Sequence, residues 1–209
     1  ERFFAPWVDM EEQMRTENIP LFSLETKTPA KEFDFLGFTL QYEMSYTNIL
    51  NMLDLGRIPF YAKDRDEEYP IICAGGPCAY NPEPLADFID FFMLGEGEEI
   101  MMEVMDVYRR VKQNGGKKDD FLREIVVIEG IYVPKFYYVE YHEDGTIKSF
   151  TKNDEHAPDK IKKRIIKDFD SSFAPDNIIV PFMEIVHDRI MLEIFRGCIR
   201  GCRFCQAGK

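Results

Sequence analysis

The sequence lacks what several large function classes require. No apolar stretch approaches the ~20 residues that span a bilayer as a helix; runs such as Ile178–Val180 and Ile190–Leu192 are only three residues long. Positive charge is in deficit, with 26 Lys and Arg against 38 Asp and Glu and a net charge of −12. Such an average field disfavours nucleic-acid phosphates and anionic membrane surfaces, leaving only a local basic patch as a route to either. There is no low-complexity segment and no internal repeat. Histidine is limited to His142, His156 and His187. The five cysteines are odd in number and unevenly spread, with Cys73 and Cys78 far from Cys198, Cys202 and Cys205. This makes a poor disulfide framework and fits a reduced, cytoplasmic protein whose thiolates serve metal.

What is present supports a packed protein of one domain or slightly more: 209 residues, 45% hydrophobic and 14% aromatic. The first residue, Glu1, and the last, Lys209, both read as interior to a longer chain, so a piece of a larger protein is expected. Helical spacing is expected from Trp7, an anchor for the first helix, to Glu17. A buried strand follows over Phe33–Leu40, then a helix from Tyr46 with Ser45 as N-cap and Gly56 as stop. Pro70–Gly76 predicts a second strand, Glu83–Ile89 a brief helix and Asp90–Leu94 a third strand. Ile100, Met101, Val104, Met105, Tyr108 and Val111 mark one face of a long helix ending near Asn114. This strand–helix alternation predicts an α/β fold, a Rossmann-like or flavodoxin-like parallel sheet.

After Gly130 the pattern changes. Ile131–Tyr141 and Thr146–Phe150, joined at Glu143-Asp144-Gly145, predict a β-hairpin, and Thr151–Lys163 a polar connection. Ile178–Val186 and Ile190–Phe195 read as extended runs leading to the cysteines. The expected division is an α/β domain over 1–128, a β-rich connector over 129–185 and a third segment over 186–209.

Cys198, Cys202 and Cys205 are separated by three and then two residues, with Gly197 and Gly201 free to turn the backbone between them. Three thiolates from one loop suit three irons of a cubane cluster, leaving the fourth iron without a protein ligand and therefore reactive. A structural zinc completed by Cys73, Cys78 or a histidine is the alternative, which would make the chain a non-catalytic binding module. A ferredoxin-type site needs another spacing and a fourth cysteine.

The run Cys198-Ile-Arg-Gly-Cys202-Arg-Phe204-Cys205 resembles the CxxxCxφC motif of the radical S-adenosylmethionine (SAM) superfamily, including the aromatic residue before the last cysteine. The resemblance implies a [4Fe–4S] cluster on the three cysteines, with SAM bound at the open iron and Phe204 near it. Reductive cleavage of SAM would yield a 5′-deoxyadenosyl radical that takes a hydrogen atom from an unidentified substrate. It implies an electron donor such as a flavodoxin or ferredoxin. It also makes Ile190–Phe195 the first strand of a partial TIM barrel. The piece in hand is expected not to cleave SAM by itself.

A second resemblance rests on Ala74-Gly75-Gly76-Pro77, Asn81-Pro82-Glu83-Pro84 and Asp90 through Glu99. These segments are similar to the cobalamin-binding-type domain that precedes many radical SAM cores. The whole layout is similar to a family of B12-binding-domain-like radical SAM proteins described as Fe–S oxidoreductases. Gly75, Gly76, Gly95, Glu96 and Gly97 would then contact cofactor at strand ends, where open α/β sheets bind ligands. Structural turns, with the glutamates complementing a helix dipole, remain the other account. Cobalamin is implied by the domain type, yet the Asp-x-His-x-x-Gly segment that ligates cobalt in related proteins is absent. Cys73 and Cys78 read as core thiols, and Arg196, Arg200 and Arg203 either serve the cluster or are solvated.

Overall fold

Four strands build the central sheet, in the order β1-β2-β3-β4. They are β1 (Phe35–Thr39), β2 (Ile71–Gly75), β3 (Phe91–Met93) and β4 (Ile131–Tyr132). The first three run parallel, with Gly37 opposite Cys73 and Cys73 opposite Phe91, while β4 is antiparallel to β3 through Phe92 and Tyr132. The computed structural model describes residues 1–175, 177, 178, 180, 183, 184, 186, 189 and 192–205. Its contacts divide the chain into one unit over Glu1–Phe169 and a second over Asp170–Lys209.

In β2 every residue from Ile71 to Ala74 is buried, as a central strand covered on both faces must be. The helices are α1 (Val8–Thr16), α2 (Tyr46–Leu55), α3 (Gly97–Gln113) and α4 (Lys118–Ile125). α3 buries Ile100, Val104, Val107 and Val111, one stripe at helical period, and carries acidic residues in its first turn and basic ones in its last. Edge-to-face rings lock α3 and α4 onto the sheet: Phe35 lies 4.6 Å from Tyr108, and Phe121 lies 5.5 Å from Tyr108 and 6.0 Å from Phe91. A two-stranded antiparallel ribbon, β5 (Tyr137–Tyr141) with β6 (Ile147–Lys152), follows the sheet.

Several local expectations change. The helix expected over Glu83–Ile89 is only a 3₁₀ turn, Glu83–Leu85, after which the Phe88 and Ile89 amides both donate to the Leu85 carbonyl. Helix α4 was not anticipated. The expected first hairpin arm is two elements: Ile131–Tyr132 joins the main sheet, Pro134 opens a 3₁₀ turn, and pairing resumes at Tyr137. Ser45 stands at the N-cap of α2 as expected, but its hydroxyl donates to the Tyr42 carbonyl at 2.7 Å and makes no capping bond to the helix. Gly56 keeps helical angles, and Arg57 takes the left-handed turn at φ 56°. Trp7 is exposed and anchors nothing, and Met101 is exposed while Val107 takes its place in the stripe.

In the second unit, residues 192–198 carry no regular secondary structure. The runs expected at Ile178–Val186 and Ile190–Phe195 fall partly outside the described residues, and His187 falls wholly outside them. Among the described residues no helix is long and apolar enough to cross a membrane.

Candidate metal centre

The cysteine loop turns at two left-handed glycines, Gly197 with φ 85° and Gly201 with φ 62°. A side chain at either position would strain the backbone there. Between Cys202 and Cys205 the chain closes a tight turn, the Cys205 amide donating to the Cys202 carbonyl at 3.1 Å. Cys198 and Cys202 are exposed and Cys205 is half-buried, all three as free thiols. Phe204, the aromatic of the motif, is exposed beside them. Arg196 pairs with Glu193 at 2.8 Å. As a donor set, three accessible thiols on one glycine-turned loop suit iron of a cluster. Among the described residues, however, no three His, Cys, Asp or Glu side chains are gathered to hold a metal.

The other two cysteines are unlike these. Cys73 lies on the central strand, where burial pushes its thiol up to about 12. Cys78 is buried just after the Gly75-Gly76 turn, and its thiol is also raised, by burial and then by Glu43. Neither is disposed to become the thiolate that a metal needs.

The glycine segments meet at one end of the sheet, because Gly75 pairs with Met93 in register and both strands run parallel. Gly76 has φ 103°, and a Cβ there would stand 3.0 Å from the Leu40 carbonyl oxygen. That oxygen accepts from the Cys78 amide, so the turn is knitted to the end of β1. Gly95 also has φ 103°, and a Cβ on it would fall 2.2 Å from the Arg164 carbonyl oxygen. Here the chain returns: the Arg164 amide donates to the Leu94 carbonyl at 2.9 Å and the Glu96 amide to the Arg164 carbonyl at 3.1 Å. The Glu96 carboxylate accepts from the Ile166 amide. Arg164 in turn lies against Glu99, Glu103 and Glu129. Gly97 stays exposed at the start of α3, with open space where a side chain would be.

The structure thus brings Gly75, Gly76, Gly95, Glu96 and Gly97 to one edge, and gives Gly95 and Glu96 a protein partner in the 164–166 segment. Among the described residues no histidine is placed there for cobalt, since His142 and His156 lie outside the sheet and its turns.

A second concavity escaped the sequence patterns. At the opposite, N-terminal edge of the parallel strands lies a cleft of 820 Å³. Its floor is a buried ionic group: Asp90 accepts from Arg65 at 3.0 Å and from Lys118 at 2.8 Å. Tyr132 and Tyr141 form part of one wall, their hydroxyls both donating to Glu83, at 2.6 Å and 3.2 Å. The only hint in the sequence was Asp90 placed directly against an apolar strand.

Comparison with known proteins bears on both ends of the chain. The family model described as "Radical SAM proteins, N-terminal" matches residues 1–134. An uncharacterized protein of Methanocaldococcus jannaschii, MJ0966, is 31% identical over 200 residues, covering 92% of this chain and 34% of that protein. The chain therefore spans about a third of the relative's length. No solved structure matches. The family match covers the α/β sheet with its glycine turns and ends before the cysteine loop, so it stands apart from the cysteine spacing; by it, the chain belongs to the radical SAM proteins' N-terminal family.

Proposed function

We propose that this chain is the N-terminal part of a radical SAM enzyme in which Cys198, Cys202 and Cys205 hold a [4Fe–4S] cluster that binds SAM. The observation that carries this is the three-cysteine spacing on an exposed, glycine-turned loop in a chain of that family. When bound, the cluster would supply the electron that cleaves SAM to a 5′-deoxyadenosyl radical. The chain's own contribution is narrower. Gly197 and Gly201 let the loop turn, so that cluster binding would draw the three thiolates together, and Phe204 offers an apolar surface beside them. The α/β domain ahead would dock or admit substrate, with the half-buried Gly75-Gly76 turn and the exposed Gly97 at its C-terminal sheet edge. The substrate, the electron donor and the remaining barrel belong to the whole protein. A cytoplasmic, oxygen-poor setting suits the free thiols.

Anaerobic reconstitution with iron and sulfide tests the proposal. Expected are the broad charge-transfer absorption of a [4Fe–4S] cluster, an EPR signal on reduction, and loss of both in Cys198→Ala, Cys202→Ala and Cys205→Ala. One tightly bound zinc per chain with no cluster spectrum would overturn it.

A further inference from the structure

The cleft at the N-terminal sheet edge has a feature its own structure leaves incomplete. Two cations, Arg65 and Lys118, share one carboxylate, Asp90, and the three side chains are 0%, 10% and 2% exposed. Asp90 is already committed, its Oδ2 also accepting from the Ile72 amide at 2.7 Å. Arg65 spends its terminal nitrogens on the carbonyls of Pro59, Phe60 and Phe88 as well as on Asp90. Lys118 is different. Its ammonium donates to Asp90 and, at 3.5 Å, to the Arg65 carbonyl, leaving a third donor with no acceptor among the described residues. A buried positive charge in excess is costly unless an anion joins it.

The rim carries both signs. Lys63 and Lys117 line it and form no ion pair among the described residues, although the Lys63 ammonium lies over the Tyr61 ring. The carboxylates Asp66, Glu67, Glu83, Asp87 and Asp119 line it too: Asp119 pairs with Lys135, Glu83 accepts from two phenols, and Glu67 and Asp66 accept from the Lys118 and Glu68 amides. The remaining surface is aromatic. Tyr61 stacks on Phe88 at 5.3 Å, and Tyr132 and Tyr137 sit in a ring cluster with their hydroxyls tied down. Rigid rings beside a cation favour a flat ligand with an acid group. The 820 Å³ volume falls within the ~300–1,000 Å³ usual for small-molecule sites.

We propose that this cleft binds a small organic anion, a planar ring bearing a carboxylate or a phosphate, with the acid group on Lys118 and the ring against the tyrosines. The site is built from residues of the first unit alone, and the proposed binding needs no cluster. Calorimetric titration of the 209-residue chain with adenosine monophosphate and with indole-3-acetate separates the two acid groups. Saturable one-to-one binding of either is expected, with adenosine and indole, which lack the acid, at least about tenfold weaker. Lys118→Met is expected to abolish binding, and Lys63→Ala and Tyr61→Ala each to weaken it severalfold. Should Lys118→Met fail to fold by circular dichroism, the two exposed variants decide. The proposal is overturned if neither anion binds, or if binding is indifferent to the acid group and to both exposed substitutions.

Discussion

Gly95 shows how one residue can be placed correctly and explained differently. A glycine after a strand in an α/β sheet suggests room for a ligand. Here φ 103° and the Arg164 backbone give the stronger reason, since any Cβ would overlap the Arg164 carbonyl and amide. Gly95→Ala must therefore both strain a left-handed position and push the 164–166 segment away. A loss of about 2–3 kcal/mol is expected from urea unfolding, whereas Gly97→Ala, with open space around it, should cost far less. Equal costs would sink this account. The role of Gly95 was legible in the sequence only as a need for a turn. Its partner lies nearly seventy residues away, and no local pattern announces a contact of that range. The same holds for Lys118, whose significance depends on Arg65 and Asp90 arriving beside it from two loops. By contrast the role proposed for the cysteine triplet is read from the sequence itself, because it rests on spacing within one loop.

At the scale of elements, the strands β1, β2 and β3 and the helices α1, α2 and α3 could be read from apolar period and turn residues. The sequence signal failed where it was continuous across a break. Ile131 to Tyr141 is uniformly β-prone, yet Pro134 interrupts it and sends its halves to different sheets. That arrangement packs Tyr132 against Phe92 and Tyr137. Burial raises the hydroxyls of both tyrosines, Tyr137 to about 12 and Tyr132, which also donates to Glu83, further still. The sign follows from linkage. A phenol ionising near 10 when unfolded and higher when folded favours the folded state only while it stays neutral. This contribution is complete below pH 10 and declines as pH rises through 12. Absorbance at alkaline pH should show a tyrosine subset that ionises late; Tyr132→Phe and Tyr137→Phe should each shrink it by one phenol, leaving Tyr108, which burial and Asp34 also raise. If all ten tyrosines titrate together near 10, the packing described here is wrong.

For the whole molecule, the question is where the independently stable part ends. Every buried apolar residue among those described lies between Met14 and Ile166, and none of the described residues from 170 onward is buried. The family match, however, stops at residue 134. Cutting there would strip away the partly buried Tyr137 phenol, the Phe136 ring, and the Arg164 segment that seats on Gly95. Burial of two aromatic side chains stabilises by at most ~3–6 kcal/mol together. That is comparable with the ~5–15 kcal/mol total of an ordinary domain. A chain of residues 1–134 is thus expected to be marginal or unfolded at 25 °C. A chain of residues 1–169 should match the 209-residue protein in urea midpoint and slope, within about 0.5 kcal/mol, as expected when none of the described residues removed is buried. A cooperative 1–134 chain as stable as 1–169 would mean that the ribbon and the Arg164 clasp add nothing to the fold. In that case the independently stable unit is the sheet alone, and the ribbon would have to be explained by what it binds.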